Sequence, residues 1–166
     1  MNITFRHTLL PDDRGPLAAV MESTGLFYDF EVDVALEVLN TLLEQGEQSG
    51  YSIVIARDGT QPVAFAVYGP TPCTVSGWDI YWMAVRDNLR GKGLGSLLIE
   101  IIEKEIFRQG GTDIWIETSG REAYFPTRQF YEKHRYRVMA ELPDFYAPGD
   151  SQVIYGKNVS LFRKTT

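Results

Sequence analysis

Apolar and polar positions along the chain follow two periods, one near two residues and one near 3.6, and the changes between them mark out the elements. A short β-type run, Ile3 to Thr8, opens the sequence. Pro11-Asp12-Asp13 then supplies the proline and acidic residues that suit a helix's first turn, so a helix to about Glu22 is expected. After Ser23-Thr24-Gly25, Val32, Leu36, Leu39, Leu42 and Leu43 recur at helical spacing up to Gln45-Gly46. Tyr51 to Ala56 and Pro62 to Tyr68 flank the turn-forming Asp58-Gly59 as a hairpin, which Gly69-Pro70-Thr71-Pro72 ends. Trp78 to Val85 is apolar enough for a central strand buried on both faces. Leu94, Leu97, Leu98, Ile101 and Ile102 lay one stripe on a helix that Gly110-Gly111 terminates. Asp113 to Thr118 reads as another buried strand, Pro126 opens a helix carrying Phe130 and Tyr131, and Tyr136 to Leu142 and Gln152 to Phe162 return to strand.

That order predicts an α/β (α+β) fold. About seven strands form a mixed, mostly antiparallel central sheet that contains one strand-helix-strand unit, with helices on its faces. With 166 residues, no internal repeat and no linker, the whole chain, 1–166, is expected to be a single domain with one site.

Composition narrows the chemistry only a little. The chain is 44% hydrophobic and 23% charged, ordinary for a globular protein. A net charge of −6 argues against a nucleic-acid backbone as partner and suits a cationic or amine one. Cys73 is the only cysteine, so neither an intrachain disulfide nor a cysteine-based zinc site can form, and His7 and His134 are isolated, so no metal is expected. Neither a leader nor a membrane span is indicated, and a cytoplasmic location is the expectation.

The chemistry concentrates in Val85-Arg86-Asp87-Asn88-Leu89-Arg90-Gly91-Lys92-Gly93-Leu94-Gly95-Ser96, where three alternating glycines stand between a strand and a helix. Bare N–H groups at a helix entry make a concave anion site, reinforced by the helix dipole, and a pyrophosphate is its natural guest. A plain tight turn would need one glycine. A Walker loop fails because Gly93, not Ser or Thr, follows Lys92, and a dinucleotide fingerprint from Gly91 would place Ser96 where its third glycine belongs. Glu117 does lie at a distance suited to a ribose.

The pattern Arg/Gln-x-x-Gly-x-Gly/Ala, filled by Arg90, Gly93 and Gly95 after Met83-Ala84-Val85, resembles motif A of the GNAT acetyltransferase superfamily. Downstream, Thr127-Arg128-Gln129-Phe130-Tyr131-Glu132-Lys133-His134-Arg135-Tyr136 is similar to that family's Phe-Tyr-x-x-x-Gly-Phe segment. The resemblance covers about Ile3 to Val159. It implies that Arg90, Gly91, Lys92, Gly93, Leu94, Gly95 and Ser96 cradle the pyrophosphate of acetyl-CoA. It further implies that the strand Met83-Ala84-Val85, splayed by a bulge, meets the pantetheine amides and offers an oxyanion donor. Thr127 and Tyr131 also belong to the coenzyme site by this resemblance, which puts the Tyr131 phenol beside the coenzyme sulfur as the acid. Two departures stand out: Tyr124 and Arg135 occupy positions where many members have Asn and Gly. The first puts the pantetheine contacts in doubt, and the second bears on the helix exit.

Acetyl transfer from a thioester to an amine needs a proton taken from the ammonium, a donor for the tetrahedral oxyanion and an acid for the departing thiolate. From position alone Tyr131 reads rather as a core tyrosine on an amphipathic helix, and the catalytic role comes from the resemblance. Asp79 is the candidate base, on the strand leading to the loop, where some members of the superfamily keep a catalytic glutamate. Period two would put it on one face with Tyr81, Met83 and Val85 unless a bulge shifts the register, although it could also meet solvent at the strand edge. Glu117 is a second carboxylate able to serve, and relay through water remains open. The acceptor site is expected from Leu26-Phe27-Tyr28-Asp29, Tyr68 to Thr74 and the loop Asp144-Phe145-Tyr146-Ala147, with Phe27, Tyr28, Tyr81 and Tyr146 as its aromatic lining. Cys73 is expected to be a small buried hydrophobe rather than a nucleophile. The expected function is acetyl-CoA-dependent N-acetyltransfer to a small-molecule amine or a peptide amino terminus, with no membrane partner and a homodimer possible by resemblance. A non-catalytic acyl-CoA-binding module is the alternative.

Overall fold

The computed structural model describes residues 2–160. Seven strands form one sheet in the order β1-β2-β3-β4-β5-β7-β6: β1 (Ile3–Arg6), β2 (Ser52–Asp58), β3 (Gln61–Pro70), β4 (Gly77–Val85), β5 (Asp113–Ser119), β6 (Arg137–Ala147) and β7 (Asp150–Asn158). The helices are α1 (Arg14–Ser23), α2 (Asp29–Gln45), α3 (Leu94–Arg108) and α4 (Phe125–Lys133). Pairing is antiparallel except between β4 and β5, where Gly77–Ile80 run parallel to Asp113–Ile116, as a strand-helix-strand crossover demands. The predicted class and element order are what the chain adopts, although the last strand stops at Asn158 and its predicted end, Phe162, lies outside the described residues. Among the described residues no helix is long and apolar enough to cross a membrane.

The chain divides into two compact units, one of residues 1–69 and 81–102 and the other of residues 70–80 and 103–166. In the first, β1 to β3 form an antiparallel ladder in which β2 and β3 are buried on both faces through their middles, while the outermost strand β1 is not. Ile53, Ile55, Phe65 and Val67 meet Leu17, Val20 and Met21 of α1 and Val32, Ala35 and Leu39 of α2. Their alternate neighbours Val54, Ala56, Ala64 and Ala66 are as fully buried, and α3 contributes the buried stripe Leu94, Leu98, Ile99 and Ile102 to the same unit. Burying each large aliphatic or aromatic side chain contributes roughly 1.5–3 kcal/mol, so this core is what holds the strand leading to the loop. Tyr68, expected at the acceptor site, is 1% exposed and belongs to this interior instead. Its β-rich context, not its polar hydroxyl, decides its place.

In the second unit, β5 pairs with β7 and β7 with β6. One face of β7 carries Tyr155 and Lys157 toward the helices: Tyr155 donates to Glu132 Oε1 of α4 at 3.0 Å, and Lys157 Nζ meets Glu103 Oε1 of α3 at 2.6 Å. The other face carries Gln152, Ile154 and Gly156. A side chain on Gly156 would run into Trp115 and Met139. β6 runs on through Pro143 to Ala147, so Asp144-Phe145-Tyr146-Ala147, expected as a loop, is the irregular end of a strand, with register shifts at Val138/Ala140 and Leu142/Ala147. Bulges and a proline are what an outermost strand tolerates, because its outward N–H groups need no partner.

Candidate active site

The glycine stretch is anchored before it becomes open. The Arg86 N–H donates to Val63 O at 2.8 Å and its Nη2 to Pro62 O at 2.9 Å, while the Asp87 N–H reaches Ser23 Oγ at 3.2 Å. A single 3-10 turn, Asp87–Leu89, then delivers Arg90 in an extended conformation. Gly91 and Gly93 follow with φ of 74° and 85°, the left-handed region that a side chain resists. A Cβ on either would meet no protein atom within 4 Å, so backbone conformation and not crowding demands glycine, and the space beside the loop is open. α3 begins at Leu94, with Leu97 N–H bonding Gly93 O at 3.1 Å and Gly95 and Ser96 in its first turn. A helix leaves its first N–H groups without acceptors of its own, and here they follow the two left-handed glycines directly. Arg90 stands 3.6 Å from Asp87 in a solvent-facing pair, which holds it weakly, and Lys92 is exposed.

In the strand entering this loop, Tyr81 and Trp82 are partly buried and both pack against the core cluster that includes Ala84. Along β4, Trp78, Ile80 and Ala84 are buried while Asp79, Tyr81, Met83 and Val85 are half-buried, a burial pattern of period two in which Trp82 is half-buried too. Tyr81 to Val85 also lie beyond the residues of β4 registered with β5, and most of them are half-buried rather than buried on both faces.

Tyr131 is held by the way α4 ends. Its carbonyl accepts the Tyr136 N–H at 3.0 Å while the Glu132 carbonyl accepts the Arg135 N–H at 2.9 Å, a Schellman closure that puts Arg135 in the left-handed region at φ 66°. The residue that departs from the family's glycine thus occupies the one helix-exit position where glycine would cost least. Tyr131 is 6% exposed and packs on Tyr136 and Tyr155 at centroid distances of 6.1 and 5.7 Å. Burial first, then the neighbouring phenols Tyr124 and Tyr155, push its hydroxyl far above the ordinary tyrosine range, so the phenol keeps its proton at every working pH. Tyr155 rises to about 12 through burial and the Glu132 carboxylate it donates to. At the other end of α4, Arg128 Nη1 donates to the carbonyls of Ser119 and Arg121, both at 2.9 Å, tying the helix that carries Thr127 to the end of β5.

The two candidate carboxylates come together. Asp79 is registered with Trp115, and Glu117 is two residues further along β5 on the same face, opposite the face that carries Tyr155. Burial raises the Asp79 carboxyl above the usual carboxylate range, only partly opposed by the Thr71 hydroxyl. Glu117 sits at an exposed position, contrary to the buried strand expected of β5, yet shielding of its carboxyl and then the Asp79 charge raise it as well. Gln152, which sequence reasoning passed over, donates to Glu117 Oε2 at 2.8 Å. The only signal for it was a polar side chain at an inward position of an apolar strand.

The expected aromatic lining is distributed over both units. Phe27 is partly buried against the first unit's core, Tyr28 caps α2 and stacks on the exposed Phe30 at 5.2 Å, and Tyr81 meets Tyr51 edge-on at 5.4 Å. Tyr146, in the second unit, packs against Phe145 at 5.1 Å and stands 3.5 Å from Gln152 Nε2. Cys73 is exposed, not buried, on a turn with φ 63°. Among the described residues no group of three or more His, Cys, Asp or Glu side chains could hold a metal ion.

A family model described as Acetyltransferase (GNAT) family matches residues 18–136. A GNAT-family protein from Desulfovibrio desulfuricans is 38% identical and superposes with a TM-score of 0.92 over 96% of this chain and 100% of that one. An aminoglycoside 6'-N-acetyltransferase complexed with coenzyme A gives a TM-score of 0.74 at 19% identity, over 96% of this chain and 97% of that one. The ribosomal-protein-S18-alanine N-acetyltransferase from Escherichia coli gives 0.74 at 17% identity, over 96% and 95%. At these last two identities the likeness is one of fold. No curated protein matches the chain by sequence.

Proposed function

The chain belongs to the GNAT acetyltransferase family, and from that premise we propose that it is an acetyl-CoA-dependent N-acetyltransferase passing an acetyl group directly to a primary amine, either of a small molecule or of a protein amino terminus. The observation that carries this reading is the pair of left-handed glycines, Gly91 and Gly93, whose outer faces are open at the entry to α3. Such a loop fits a pyrophosphate, because its N–H groups can converge where no side chain intervenes. Arg90, Gly91, Lys92, Gly93, Leu94, Gly95 and Ser96 would hold the phosphates, with Met83, Ala84, Val85 and Thr127 along the rest of the coenzyme. When bound, acetyl-CoA supplies the acetyl thioester.

The chain's own residues then divide the remaining work. Tyr131, kept neutral by burial, is a hydrogen-bond donor for a developing thiolate. A phenol this weakly acidic is a better partner for that charge than a source of a freely given proton. Asp79 and Glu117 are the groups that accept the proton of the acceptor ammonium, and their raised affinity for protons moves them toward the working pH of a general base. The amine is supported as acceptor by the neighbours named for aminoglycoside and protein-alanine N-acetylation. A cytoplasmic setting is proposed with it.

The test is release of free coenzyme thiol from acetyl-CoA across a panel of polyamines, amino acids, aminoglycosides and peptide amino termini. Turnover with at least one amine is the expected result. Tight coenzyme binding with no amine consumed would instead make the chain a binding module on this fold.

A further inference from the structure

Among the side chains that no step above uses, Gln152 is set apart by where β7 puts it. The antiparallel register pairs Glu117 with Ile154 and Ser119 with Gln152, so Gln152 lies on the same face as Glu117, one step along the diagonal. At 4% exposure it is among the few buried polar residues of the chain. Its carboxamide is committed, since Nε2 donates to Glu117 Oε2 at 2.8 Å and lies 3.5 Å from the Tyr146 hydroxyl. An ionised carboxylate only accepts, so the amide presents its nitrogen to it, and burial on β7 leaves the amide little freedom to turn away.

We propose that Gln152 is a positioning residue that holds Glu117 as the ionised, proton-accepting member of the carboxylate pair, while Asp79 acts on it through repulsion. The inference rests on the reading of the chain as an N-acetyltransferase with a carboxylate base, and it decides which carboxylate that is. Donation from a neutral amide favours the charged form of Glu117, opposing both the shielding and the Asp79 charge that favour the neutral form. With Oε2 held by Gln152, Oε1 remains to take the proton. Glu117 is also the more solvent-accessible of the two, where an acceptor can reach it. The other titratable or charged groups on this face are Asp79 from β4, Tyr146 and Arg137 from β6, Asp113 on β5, and Asp150, which is ion-paired with Arg121 at 3.2 Å. Gln152 is therefore the neutral donor in a setting where carboxylates predominate.

The experiment follows the Glu117 carboxyl directly by carbon NMR through a pH titration of the intact protein, in wild type and in Gln152→Met, which keeps the length and removes the donor. The Glu117 midpoint should rise by about half to one pH unit in Gln152→Met. The acid limb of kcat/KM should move up with it, and the rate should return to near wild type at alkaline pH, where Glu117 is ionised in both. Asp79→Asn should move the Glu117 midpoint down. A purely structural role for Gln152 predicts instead a loss that is the same at every pH, and that result would overturn the proposal. Wild type provides a second measurement that needs no variant to fold: the Gln152 side-chain NH₂ resonances should titrate with the Glu117 midpoint, and resonances that stay fixed through it would equally overturn the proposal. Failure of every amine to consume acetyl-CoA would appear in the panel assay and not in these spectra, so the two readings fail separately.

Discussion

The glycine loop and the Tyr131 helix are each built to hold one functional group, and they do so by opposite means. The loop works through backbone: two left-handed glycines and a helix entry, with no protein atom within 4 Å of where a side chain would begin. The helix works through side chains, with a phenol buried among other phenols and a C-terminal closure that fixes its turn. The difference teaches where tolerance lies. A backbone site should accept changes in its neighbours' side chains but none at its glycines, whereas a packed site should accept shape-conserving changes structurally while losing the chemistry of a single oxygen.

The largest effect expected of that contrast is at Gly93. Gly93→Val forces a β-branched residue into φ 85° and fills the open volume, so acetyl-CoA affinity should fall at least about 100-fold while the protein stays folded, since a Cβ there meets no protein atom within 4 Å. Calorimetric titration with acetyl-CoA checks this, and unchanged affinity would remove the cradle. Gly95→Val, in the first helical turn, should also weaken binding.

Next comes Tyr131→Phe, which keeps the ring contacts and removes the hydroxyl. Turnover should drop toward the low end of general-acid effects, about 10²-fold, with acetyl-CoA affinity little changed. Single-turnover acetyl transfer at saturating acceptor, alongside calorimetry, separates the two quantities. A rate within about threefold of wild type would return Tyr131 to the core.

Asp79→Asn sharpens the comparison through pH. The folded-state pKa of Asp79 lies above its unfolded value, so between the two the native state binds more protons and stability falls as pH rises; the cost is fully present above the folded pKa and absent below the unfolded one. Asp79→Asn should therefore raise Tm near neutral pH and leave it unchanged at strongly acid pH. Melting curves across pH test this, and a Tm difference constant with pH would mean packing and not charge.

The smallest effect is at Arg135. Left-handed backbone costs a non-glycine residue roughly 1–2 kcal/mol, part of which Gly gives back through its freer unfolded chain, so Arg135→Gly should stabilise by about 0–1 kcal/mol. Denaturant titration measures it. Destabilisation would show that the Arg135 side chain contributes more than its backbone strain costs.

The chain's periodicities determine the elements, because burial at spacings of two and 3.6 is a local property of a sequence, and they determine the glycine loop as well, because left-handed backbone at a strand-to-helix junction is written in consecutive residues. Tyr131 on its helix was legible for the same reason. What only the tertiary structure decided was everything that depends on register. Asp79 and Glu117 are 38 positions apart and share a face only because β4 and β5 run parallel with Asp79 beside Trp115. Gln152 reaches Glu117 only because β7 returns antiparallel in one particular alignment. Tyr68 is interior while Cys73, just past the end of the same strand, is exposed. A one-residue slip in any of these pairings would leave every local pattern intact and scatter the carboxylates, since side-chain direction in a sheet alternates with each residue and only the assembled core selects the alignment.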